Sequence, residues 1–114
     1  MDKDRASKIP AEWTRFGLVF AALGEPERQR LVLAFDAEEE LNAGDLAAVS
    51  NLTRPAVSFH LKVLTQAGVL LRDKRGREVF FKLNLDLLDD TFGNCLKYID
   101  NRRKKLPRAA ARKG

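Results

Sequence analysis

At Gly68 the sequence changes its period, and that change limits the folds open to it. Upstream, apolar residues recur three and four apart, as in Trp13, Phe16, Phe20 and Leu23, the spacing that lines one face of an α-helix. Downstream, Val69–Asp73 and Glu78–Leu83 are rich in β-branched and aromatic residues. With Lys74, Arg75 and Gly76 between them, they are expected to form a hairpin. The helical period then returns in Leu88, Phe92, Cys95 and Ile99. A chain of 114 residues has room for one ordinary domain. The expectation is a mainly α domain over residues 1–100 that carries one β-hairpin, followed by a basic, disordered tail over 101–114.

Local signals mark where the helices break. Pro10 suits a first helical turn and Gly24 an end. Pro26 opens a second helix with Leu31, Val32 and Phe35 on its apolar side. Asn42 is a good N-cap for a short third helix, with Leu46 and Val49 expected inward. Asn51 follows, a residue that tolerates the left-handed backbone of a tight turn. Thr53 or Arg54 caps a fourth helix, Pro55 fits its first turn, and Gly68 stops it. Asp86 caps a last helix.

Composition narrows the class. The longest apolar run, Gly17–Gly24, is far short of the roughly 18 residues of a membrane helix. Asp2, Asp4 and Glu12 stand where a secretory signal would be basic. A single cysteine, Cys95, forms no internal disulfide, which points to a reducing, cytoplasmic setting. The net charge of +5 is unevenly placed: residues 1–50 carry −4, 51–82 carry +5, 83–100 carry −3 and 101–114 carry +7. An acidic body with a basic centre and a basic end points to a polyanion met on one face. The alternative for the tail is a merely solvated end.

Two helices joined by a short turn and followed at once by a hairpin make a winged helix-turn-helix, α-α-α-α-β-β-α. One helix of such a pair fits the major groove of DNA, and the hairpin reaches the adjacent backbone or minor groove. On a helical wheel Val57, Leu61 and Leu64 share one side, whereas Pro55, Phe59, Lys62 and Gln66 share the opposite one. Ser58 lies on the shoulder, and Thr53 and Arg54 stand at the N-terminal end. Phe59 either meets thymine methyls or folds back onto a neighbouring element. His60, beside the core, is either a hydrogen-bonded structural residue or a DNA contact. In the wing Arg72, Lys74, Arg75 and Arg77 fall within six positions, and phosphate contact is the expected role. The candidate DNA contacts are therefore Thr53, Arg54, Pro55, Ser58, Phe59, His60, Lys62, Lys74, Arg75 and Arg77.

These segments resemble the ArsR/SmtB family of regulators. Leu23-Gly24-Glu25-Pro26-Glu27-Arg28 is similar to the family's opening motif. Asp45-Leu46-Ala47 and Leu52–Leu64 resemble its recognition segment, and Ala67-Gly68-Val69-Leu70 with Arg75-Gly76-Arg77 and Phe80–Leu83 resembles its wing. The resemblance spans about residues 18–85. It implies a homodimeric repressor bound to an inverted repeat, with the first and last helices forming the dimer interface. Trp13, Phe16, Phe20, Leu88, Phe92, Cys95 and Ile99 suit that role.

The departures concern the signal that releases such a repressor. One family metal site uses cysteines near the third helix, where Gly44–Val49 holds none; another uses Asp and His on the last helix, yet His60 is the one histidine. Zinc needs about four N, S or O donors, and Asp86, Asp89 and Asp90 would offer only hard oxygens. No metal and no cofactor are expected, and the inducer is not legible. Persulfide sensing takes two cysteines. Cys95 is expected to be a packing residue, the alternative being a redox bridge across a dimer axis. No catalytic constellation is visible, so an enzyme is not expected. Two rival readings share the fold: a protein-interaction module anchored by Phe59, and a sequence-independent, nucleoid-type DNA binder driven by the tail.

Overall fold

The computed structural model describes residues 1–107, in the order α1 (Lys3–Ser7), α2 (Ala11–Ala22), α3 (Pro26–Leu33), α4 (Ala43–Val49), α5 (Arg54–Gln66), β1 (Leu70–Arg75), β2 (Glu78–Leu83) and α6 (Leu85–Lys104). Side-chain caps set four of the helix starts, because the first N–H groups of a helix lack internal partners. Asp2 accepts from the Arg5 N–H and begins α1, an element not expected from the sequence. Asn42 and Asp45 form a reciprocal capping box at α4. Thr53, rather than Arg54, caps α5 by accepting from the Ala56 N–H. Asn84, not Asp86, caps α6, and its amide also donates to the Gly68 carbonyl at 2.9 Å. Pro10 stands at the N-cap of α2, one place before the helix it was expected to open.

α5 is the hub of the fold. Alone, a 13-residue helix is marginal in water; here it packs on α2, α3, α4 and β1. Val57, Leu61 and Leu64 are buried, as the wheel requires. They join Val19, Ala22, Leu31, Phe35, Leu46, Val69, Leu70 and Phe81 in one core. Each such side chain contributes roughly 1.5–3 kcal/mol on burial, so three from one helix rival the 5–15 kcal/mol by which whole domains are stable.

Four local expectations are corrected. Val49 is 75% exposed, because α4 ends there and Leu52, from the following turn, packs on the core instead. That turn needs no left-handed Asn51, since no residue other than glycine has positive φ among those described. The Ser50 hydroxyl accepts from the Leu52 N–H at 3.2 Å and closes it. The hairpin turn is the pair Gly76-Arg77, flanked by Arg75 opposite Glu78, so Lys74 and Arg75 belong to β1. Gly76 alone takes positive φ there (+61°), the pattern of a type II′ turn. Finally, α6 continues through Asn101–Lys104, inside the segment expected to be a disordered tail; the rest of that expectation, over 108–114, lies outside the described residues.

A small bridge adds a third member to the wing. The Leu41 N–H donates to the Phe81 carbonyl at 3.0 Å, and the Phe81 N–H donates back at 2.8 Å. It holds the acidic segment before α4 beside the hairpin.

Candidate nucleic-acid interface

A groove of about 480 Å³ runs between α5, the start of α4 and the hairpin. Arg54 and Lys62 line it from α5, with Ser58 between them and Thr65 and Gln66 beyond; Arg72 and Arg77 line it from the wing, beside Glu78. The Arg54 guanidinium lies against Gly44, where an added Cβ would come within 3.7 Å of it. Four cations thus border one concave surface that includes Lys62 and Gln66 of the outer side of α5, an arrangement suited to a phosphate backbone. Pro55 is exposed at the first turn, and Thr53 is occupied in capping.

The pairing register sorts the wing into two faces. Opposite residues of an antiparallel pair share a face. Arg72 opposite Phe81 and Lys74 opposite Val79 lie on the face toward α5, because Phe81 is core. Asp73 opposite Phe80 lies on the other, as does Arg75. Arg75 is engaged there: its Nε donates to Asp73 at 2.9 Å, its second nitrogen donates to Glu40, and its guanidinium stacks 4.4 Å from the Phe80 ring centroid. Glu40 first and Asp73 second hold its pKa above the ordinary arginine value. Arg75, expected to contact phosphate, is committed to this ion pair on the back of the wing. Arg72, a wing cation outside the expected contact set, takes its place in the groove. Its signal was the two-residue alternation of β1.

Phe59 does not fold back. Its ring is 59% exposed on α5 and stands edge-on to the His60 ring, at 5.6 Å between centroids. His60 is half-buried, and its Nδ1 lies 3.2 Å from the Arg28 guanidinium.

A second surface is built from α2 and α6. Trp13 meets Tyr98 (5.7 Å), Phe20 meets Phe92 (6.4 Å), and Arg15 donates to Asp90 at 2.6 Å. Phe16 was expected at an interface between copies, but it is fully buried within its own chain, with Trp13 and Arg15 against it. Leu88 packs partly on the same core, and Cys95 is half-buried. What α6 leaves open is a stripe of Leu85, Phe92, Leu96 and Ile99, all between 43% and 58% exposed, with Leu18 of α2 also open. Leu18, Leu85 and Leu96 were not singled out from the sequence. Thr91 marks the inner side of α6: it is fully buried and its hydroxyl donates to the Leu87 carbonyl at 2.7 Å.

No group of three or more His, Cys, Asp or Glu side chains gathers among the described residues. Asp90, the best placed acid on α6, is already bound by Arg15 and Asn94. No helix among them is long and apolar enough to cross a membrane.

Comparison with known proteins gives this geometry its context. A helix-turn-helix domain family matches residues 23–72. The transcriptional repressor SdpR of Bacillus subtilis is 32% identical over 82 residues, which cover 72% of this chain and 90% of SdpR. The chain belongs to the ArsR family of winged helix-turn-helix regulators. An ArsR-like transcriptional regulator from Rhodococcus sp. RHA1 superposes with a TM-score of 0.72 at 26% identity, covering 90% of this chain and 92% of that one. The homodimeric winged helix-turn-helix DNA-binding domain of a possible ArsR-family regulator from Mycobacterium bovis shares the fold, at TM-score 0.63 and 16% identity over 89% of each chain. The arsenic-resistance regulators of Pseudomonas putida and Escherichia coli that it matches are covered over about half of their own length. The winged helix-turn-helix expected from the sequence is the fold, and the protein is a DNA-binding transcriptional regulator.

Proposed function

We propose that this ArsR-family protein is a cytoplasmic repressor that binds an inverted-repeat operator as a homodimer. The observation that carries the reading is the convergence of Arg54, Lys62, Arg72 and Arg77 on one groove that α5 walls with Ser58, Lys62 and Gln66. In the duplex, α5 enters the major groove with Ser58 and Phe59 toward base edges, Phe59 against thymine methyls. Arg54, Lys62, Arg72, Arg77 and the exposed Lys74 hold phosphates. The open stripe of Leu85, Phe92, Leu96 and Ile99, with Trp13, Phe20 and Leu18 nearby, supports dimerisation through α2 and α6. Two recognition helices about 34 Å apart then meet successive turns of one duplex face. The chain acts as a regulator and not an enzyme, needs no cofactor, and is released by a signal other than a metal at the family's usual positions, since those positions lack the donors.

Selection of bound duplexes from a random pool tests the proposal. The expected product is a two-fold symmetric site with half-sites one helical turn apart. Enrichment of no sequence would leave a nucleoid-type binder, and retention of no duplex at modest salt would leave a protein-interaction module.

A further inference from the structure

His60 is the single histidine of the chain, and its ring is half-buried on the shoulder of α5. Its Nδ1 is 3.2 Å from an Arg28 nitrogen. A guanidinium only donates hydrogen bonds, and it keeps its proton in proteins. Nδ1 must therefore be the acceptor, and the proton of the neutral ring resides on Nε2. That nitrogen has no hydrogen-bond partner among the described residues, yet no buried side-chain polar atom is left unpartnered, so Nε2 reaches solvent. Arg28 also donates through Nε to the Ala22 carbonyl at 2.6 Å. That carbonyl belongs to the last turn of α2, where helix geometry leaves acceptors without partners and favours a cation. One guanidinium thus ties the end of α2 and its own helix α3 to the recognition helix.

We propose that Arg28 is a positioning residue of the DNA site: it locks His60 in the Nε2–H tautomer, so that α5 presents a neutral N–H donor to a phosphate oxygen of bound duplex. His60 lies on the shoulder of α5 and not on its outward side, which directs the donor to the flanking backbone and away from base edges. The assignment rests on the DNA reading above. A neutral donor displaces no counterion, so its loss lowers affinity for every duplex without changing the salt slope. That distinguishes it from the groove cations.

Because the histidine is unique, long-range proton–nitrogen NMR of the full chain reads one pair of ring nitrogens. At about pH 8 the expected state is Nε2 protonated and Nδ1 bare, with both tautomers present in Arg28→Met. Duplex binding is then compared for His60→Asn, which keeps an acceptor facing Arg28 but has no Nε2 donor, and His60→Gln, which restores an N–H near the Nε2 position. The first should bind operator and random duplexes about tenfold more weakly with an unchanged salt slope and thermal midpoint, and the second should recover most of the loss. A protonated Nδ1 in the native chain, or native-strength binding by His60→Asn, overturns the assignment while leaving the DNA reading intact. A native chain that retains no duplex overturns both.

Discussion

The two arginines that flank the wing turn should behave differently when each is replaced by alanine. Arg77 lines the groove beside α5, whereas Arg75 is on the back of the hairpin, paired with Glu40 and Asp73 and stacked on Phe80. Each phosphate contact contributes about 0.9 to the slope of log affinity against log salt. A homodimer loses two contacts at once in Arg77→Ala, so the slope falls by about 1.8. At about 0.1 M salt the affinity then drops roughly 60-fold. Arg75→Ala should leave the slope where it was, because a phosphate would have to displace two carboxylates to reach that side chain. Glu40→Gln should steepen the slope, by removing one of those competitors. Fluorescence anisotropy of a labelled duplex across a salt series reads all three. Equal losses of slope in Arg75→Ala and Arg77→Ala would refute the sorting of the wing into two faces. An unchanged slope in Arg77→Ala would refute contact between wing and phosphate.

Gly68 has φ +83°, and a Cβ there would come 2.7 Å from the Leu87 side chain. The left-handed backbone alone costs a non-glycine residue about 1–2 kcal/mol, so Gly68→Ala should lower the midpoint of thermal unfolding by about 5–10 °C; an unchanged midpoint would contradict the conformation. Leu96→Glu places a carboxylate in the open stripe of α6 and should yield monomers in sedimentation with native circular dichroism, whereas a persisting dimer would put the interface elsewhere. At α1, the Arg5 N–H bonded to the Asp2 carboxylate draws the Asp2 pKa below its ordinary 3.8. The cap's contribution is then complete above the unfolded value and is lost as pH falls through the lower folded one. The Arg5 amide resonance should move in that acid interval and stay still in Asp2→Asn.

Most of what the sequence made legible was local. The caps at Asn42 and Thr53, the inward set Val57, Leu61 and Leu64, and the stop at Gly68 each depend on residues within one or two turns. The misplacements depend on distant partners. Nothing near Arg75 reveals that its guanidinium will meet Glu40; that pairing exists because the bridge between Leu41 and Phe81 brings residues 40 apart in sequence to one edge. The apolar stripe read on the last helix merged two faces, since Leu88 and Cys95 turn partly inward with Thr91 while Phe92 and Ile99 turn out with Leu85 and Leu96. Period alone cannot separate stripes this close on a helix whose neighbours are unknown. Phe16 was misplaced for a related reason: spacing shows which residues share a face, and only tertiary packing decides whether that face meets its own core or a second copy.

The charge distribution shows how the same long-range contacts bear on function. A net +5 by itself would attract DNA to any side of the chain. The fold instead uses acids where cations would misdirect a duplex: Glu40 and Asp73 neutralise Arg75 on the back of the wing, Asp90 engages Arg15 on the α2–α6 surface, and Glu27 engages Arg30 on α3. In the groove, Arg54, Lys62, Arg72 and Arg77 face one acid, Glu78. Exposed pairs of this kind add little stability, so their larger effect is on the field the protein presents. These pairings offset three cations outside the groove, while the groove itself keeps a positive excess beside Ser58 and Lys62 of α5. That excess favours approach of a polyanion from the groove side, and two of the pairings, Arg75 with Glu40 and Arg15 with Asp90, join segments far apart in sequence.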